Sequence, residues 1–152
     1  MKKTIQILTA VIAVAIFSTP AFATNKTSAL SDAVYAVENL ETYNTSLTYQ
    51  TGYSLYGRAL QMIERAKAAG YNVSTLEKNL PDYRKKALAT DTENRLDLLK
   101  NYLSTDDRNL LNGFFSWVKI SIEREVHAGA DKSVILKHRT ELINMICPAS
   151  GV

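Results

Sequence analysis

From Ala29 to Ile146 the apolar residues recur every three or four positions, and nowhere do they alternate over a useful length. That spacing lines one face of a 3.6-residue helix, whereas a half-buried strand needs a period of two. No turn dipeptide separates two strand-like runs, and the nearest case, Asn112-Gly113, falls inside a helical pattern. Six Gly and three Pro among 152 residues are also too few for a loop-rich β protein. The chain is expected to be all-α: a compact bundle of five or six helices, mostly antiparallel because the breaks between them are short.

The helix boundaries have local signatures. Leu30, Ala33, Val34, Val37 and Leu40 define a first helix from about Ala29 to Tyr43, broken by Asn44-Thr45-Ser46. A second runs from about Leu47 to Ala69, weakened at Gly52 and Gly57 by about 1 kcal/mol each relative to Ala. Its first two turns are expected to be irregular, and Gly70 suits its end. Ser74-Thr75-Leu76-Glu77 and Thr90-Asp91-Thr92-Glu93 are capping boxes. Two separate helix starts are therefore expected, with a kink or break at Pro81, whose missing N–H and ring disrupt a helix interior. Asp106 and Asp107 favour another start, because acids suit the positive end of a helix. The helix from there to about Ala128 carries Leu110, Phe114, Phe115, Trp117, Val118 and Ile122, and is expected to be the central, most buried one. Gly129 ends it, Asp131 or Ser133 caps the last helix, and Pro148 stops that one.

The N-terminus carries an export signal. Lys2 and Lys3 precede an apolar run from Ile5 to Phe17, interrupted only by Gln6 and Thr9, and Ala21-Phe22-Ala23 follows. A charged start, a short apolar stretch and small residues at an A-x-A site make a Sec signal peptide over residues 1–23. The run is shorter than the roughly 20 residues a membrane-spanning helix needs. Cleavage is expected after Ala23, leaving residues 24–152 as a single helical domain expected in the bacterial periplasm or outside the cell, without a membrane span. No Cys stands directly after the cleavage site, so a lipid-anchored form is not expected.

Removing Lys2 and Lys3 takes the 18 basic residues to 16 against 15 acidic ones, a net charge of about +1. The densest basic cluster is only Arg84-Lys85-Lys86, which argues against a nucleic-acid partner. A single Cys excludes a disulfide scaffold and a Cys-based zinc or iron–sulfur site.

Few residues point to chemistry. Glu123 and His127 lie four apart, and His138 and Glu141 lie three apart on the following helix. A hairpin could bring the two pairs together as a metal site, although neither is the Glu-x-x-His of di-iron bundles. Solvated ion pairs are the simpler reading, and no cofactor is expected. Glu38, Glu41 and Glu64 lie near aromatic residues but lack the framing of a glycosidase acid. Cys147 sits at a helix C-terminus, where the dipole disfavours a thiolate. It reads as a buried core thiol, favoured because Ile146 beside it is apolar, or as a disulfide to a second chain, a homodimer included. Five of the eight Tyr lie between Tyr35 and Tyr56. Tyr49, Tyr53 and Tyr56 share a helical stripe, which suits the edge of a core and equally a docking surface for a partner. The expected function is protein binding in the envelope or outside the cell, as an accessory subunit, adaptor or inhibitor, without enzymatic activity. The alternatives are a small-ligand or metal-binding bundle using His127 and His138, and a cell-wall-directed hydrolase.

Overall fold

The computed structural model describes residues 26–43 and 50–147. The expected signal peptide, the expected break at Asn44-Thr45-Ser46, Tyr49 and the expected stop at Pro148 lie outside the described residues. Within them the chain is all-α, five helices packed together with no strand. These are α1 (Lys26–Glu41), α2 (Gly52–Ala68), α3 (Ser74–Tyr102), α4 (Arg108–His127) and α5 (Lys132–Ile146). None of them is long and apolar enough to cross a membrane.

The spine is α3. Its 29 residues extend for roughly 43 Å, and every other helix packs on it. Its first half meets α1 and α2 in a core of Ala33, Val37, Leu40, Leu55, Ala59, Ile63, Ala66, Leu80 and Ala87. Its second half meets α4 and α5 around Leu96, Leu99, Val118 and Ile122, with Phe114, Phe115, Ile135 and Leu142 at the edge. The expectation that 104–128 forms the central helix is corrected. In α4 only Val118, Ser121, Ile122 and Glu125 are buried, while Leu110, Trp117, Ile120 and Val126 stay exposed. An outer helix has neighbours on one side only, so apolar residues covering more than half its circumference cannot all be buried.

The expected breaks inside α3 are absent. Pro81 lies within the helix, on its exposed side. Its ring therefore meets no core neighbour, while Leu80 and Ala87 hold the helix in the core. The N-cap is Val73 rather than Ser74, and it makes no side-chain cap. Nor does Thr90-Asp91-Thr92-Glu93 start a helix. Thr92 is buried and its hydroxyl donates to the Leu88 carbonyl at 3.1 Å, while Asp91 caps a different helix. Asp107 and Asp131 cap α4 and α5 as expected, and Gly70 (φ 89°) and Gly129 (φ 69°) take the left-handed turn after α2 and α4, but α2 begins at Gly52 rather than near Leu47.

Gly52 has a different role from the one its helix propensity suggests. It is buried at the first position of α2, after the cap at Thr51. A Cβ there would stand 2.5 Å from the Ala87 carbonyl oxygen and 2.7 Å from the Ala87 Cβ. The glycine lets α2 begin against the backbone of α3. Gly52→Ala is expected to cost about 2–3 kcal/mol in urea denaturation, because backbone must shift. Gly57→Ala, which meets nothing within 4 Å, is expected to add about 0.5–1 kcal/mol.

Candidate functional site

Between the two apolar clusters α3 carries a belt of polar residues, of which Asp91 and Arg95 tie other helices to the spine, and a further buried pair joins α4 to α5. Asp91 is buried and its carboxylate lies at the start of α2. Oδ1 accepts hydrogen bonds from the Gly52 amide and the Tyr43 hydroxyl, both at 2.8 Å, and Oδ2 accepts from the Tyr53 amide at 3.1 Å. A carboxylate is favoured there because the first amides of a helix have no internal partner and carry partial positive charge. Burial, followed by the hydrogen bond and charge of Asp91, pushes the Tyr43 hydroxyl above its ordinary pKa.

One turn further along, Arg95 donates to Ser121 Oγ at 2.6 Å and to the Trp117 carbonyl at 3.1 Å, which fixes α4 on α3. Burial lowers its pKa and the charge of Asp91 acts in the opposite direction. Arg124 of α4 lies over the Tyr53 ring of α2, 4.1 Å from its centroid, and joins the two halves directly.

The third link is a fully buried ion pair. Glu125 on α4 and His138 on α5 expose no surface, and His138 Nδ1 lies 3.0 and 3.1 Å from the two carboxylate oxygens. Its Nε2 makes no hydrogen bond and stands 3.7 Å from Oε1 of Glu93 on α3. Burial works to lower the His138 pKa, but the hydrogen bond and charge of Glu125 and the charge of Glu93 outweigh it, so the pKa is raised. Flanked by the two carboxylate oxygens, Nδ1–H donates to Glu125. Outside the cluster, Lys137 pairs with Glu93 at 3.1 Å and opposes the shift.

The residues singled out in the sequence fall in separate places. Tyr53 is exposed beneath Arg124, and Tyr56 is half-buried at the edge of the first core with Arg84 4.6 Å from its centroid. Glu123 and His127 are exposed, His138 is interior, and Glu141 pairs with Lys100 of α3 at 2.5 Å. The histidine on a solvated face is thus a core histidine, and its partner is Glu125 rather than Glu141. No three His, Cys, Asp or Glu among the described residues gather as a metal donor set. Glu38, Glu41 and Glu64 are exposed, while the buried Glu125 has no surface for a substrate to touch. Cys147 is exposed and free at the end of α5, which overturns the favoured reading as a core thiol. The native protein is expected to react with an aromatic disulfide reagent to one equivalent without denaturant, and protection of the thiol would contradict that exposure.

Asp91, Arg95, Ser121 and Glu125 were missed by motif reasoning. Glu125 had left a trace: it extends the stripe Val118, Ser121, Ile122, so a carboxylate occupies a core position and requires a buried partner.

The larger feature is the surface beyond this belt. Tyr102 stacks on Phe114 with ring centroids 4.7 Å apart, and Phe114 meets Trp117 edge-on at 5.6 Å, with Trp117 56% exposed. On α5, Leu136, Ile143 and Ile146 are 65%, 59% and 56% exposed. No protein-family model, curated protein or solved structure matches the chain significantly.

Proposed function

We propose that this chain is an exported helical protein that acts by binding other proteins, in the bacterial periplasm or outside the cell. Its role is that of an accessory subunit, adaptor or inhibitor of an envelope or secretion apparatus. The observation that carries the reading is the imbalance between its halves. Eleven buried apolar residues form the first cluster and four form the second. Of the thirteen exposed large apolar side chains among the described residues, ten lie from Leu98 onward. Apolar surface concentrated in one region of a small protein is characteristic of an interaction site. Trp117 and Tyr102 add the aromatic anchors that carry much of the energy of protein interfaces. Asp91, Glu125 and His138 of the polar belt are enclosed, so the belt positions this surface and exposes little to a substrate.

The test is affinity capture with immobilised residues 24–152 from envelope extract, with and without reductant, followed by mass spectrometry. A discrete partner is expected, and its recovery is expected to fall strongly with the combined variant Trp117→Ser, Ile120→Ser, Leu136→Ser. All three residues are exposed, and circular dichroism checks that the variant keeps the fold. Capture that is absent, or unchanged in the variant, refutes the reading. Loss of the partner under reductant assigns Cys147 a covalent part.

A further inference from the structure

We propose that the outer face of α5 is the docking site for an acidic amphipathic helix of the partner. The inference rests on the protein-binding reading above and names one surface and one partner chemistry within it.

Two seams run along α5. Ile135, His138, Leu142 and Met145, spaced three, four and three apart, face α3 and α4. Beside them run Lys132, Leu136, Arg139, Ile143 and Ile146, spaced four, three, four and three apart, and all five are exposed. Alternating steps of three and four keep a row of side chains aligned along one helix so that a second helix can pack against it. The outer row therefore has the pattern of a packed seam, yet none of its side chains is covered.

Its charges indicate what would cover it. Lys67, Lys85, Lys100 and Lys137 each pair with an acid. Lys132 and Arg139 have no ion-pair partner among the described residues. The one acid within α5, Glu141, is held by Lys100 on another side. The seam is thus aliphatic with two unpaired cations and no anion. A second copy of the chain would bring Arg139 against aliphatic or cationic residues and leave it unpaired, which disfavours self-association here. A helix lying in a membrane surface presents a broad apolar face with aromatic residues. This row is one side chain wide, bordered by Ser133, Thr140 and Asn144, and has no aromatic member. An acidic helix satisfies both parts: its apolar stripe covers Leu136, Ile143 and Ile146, and its carboxylates meet Lys132 and Arg139.

The test uses two fluorescent synthetic helices of three heptads with leucine at the a and d positions. One carries glutamate and the other lysine at the e and g positions. Anisotropy titrations with residues 24–152 are expected to show the glutamate helix binding at least about tenfold more tightly. Leu136→Asp is expected to abolish binding and Arg139→Glu to remove the preference, with circular dichroism unchanged. Equal affinity for the two helices, no binding, or insensitivity to both substitutions overturns the proposal. So does tighter binding to phosphatidylglycerol vesicles than to the glutamate helix, or a homodimer that Leu136→Asp dissociates. If the combined variant abolishes capture from envelope extract but Leu136→Asp and Arg139→Glu do not, the partner binds elsewhere. Protein binding then stands and the α5 site falls.

Discussion

Asp91→Ala is expected to lower the stability of the protein by about 3–4 kcal/mol, the largest effect of any single substitution considered. The carboxylate accepts three hydrogen bonds, from the Gly52 and Tyr53 amides and the Tyr43 hydroxyl, and these groups lie where water does not easily replace it. Truncation leaves those donors short of an acceptor and removes the negative charge that faces the start of α2 and the half-buried Arg95. Asp91→Asn keeps one carbonyl oxygen and is expected to cost about half as much. The comparison is Asp97→Ala, which removes an exposed carboxylate paired with Lys100 at 3.1 Å and is expected to change stability by less than about 0.5 kcal/mol. Urea denaturation followed by circular dichroism separates the three. An Asp91→Ala variant as stable as Asp97→Ala would mean that the belt does not join α2 to the spine.

Stability is also expected to fall as pH rises from 6 to 9, through His138. A histidine whose pKa is raised on folding stabilises fully below its unfolded pKa of about 6.5, and the contribution is lost as pH passes through the folded value. Glu125 of α4, Glu93 of α3 and Lys137 of α5 set that shift, with both acids favouring the imidazolium and Lys137 opposing it. Glu125→Gln removes the main attraction and leaves burial to favour the neutral ring. The variant is expected to lose about 2–4 kcal/mol at pH 6 and less at pH 9. Its stability should therefore vary less with pH than that of the wild type, or rise. Thermal melts at pH 6, 7.5 and 9 check this. A wild type equally stable at pH 6 and 9, or a Glu125→Gln variant with the same slope, contradicts a charged buried pair. The pair fastens α5 to α4, and the exposed seam of α5 is carried on the same helix.

The helical content was legible residue by residue, because helix formation depends on neighbours three and four positions away. The stripes of α1 and α2, the caps at Asp107 and Asp131, and the turns at Gly70 and Gly129 are all local. What misled was local as well. Thr90-Asp91-Thr92-Glu93 has every feature of a helix start, but Asp91 caps α2, 39 residues earlier in the chain. Gly52 counted as a weak helix residue, while its value lies in the approach of Ala87.

Periodicity reports that a face is apolar and does not report whether anything covers it. Leu142 and Ile143 are equally apolar neighbours on α5, yet one edges a core and the other is 59% exposed. The same holds for charge: Glu125 and Glu123 lie on one helix, the first enclosed with His138 and the second in solvent. Spacing along the chain was enough for the helices and their ends. Which faces are shared, which ions are enclosed and which stripe is left bare depended on how five helices crowd around α3, because burial is a property of contacts between residues distant in the chain.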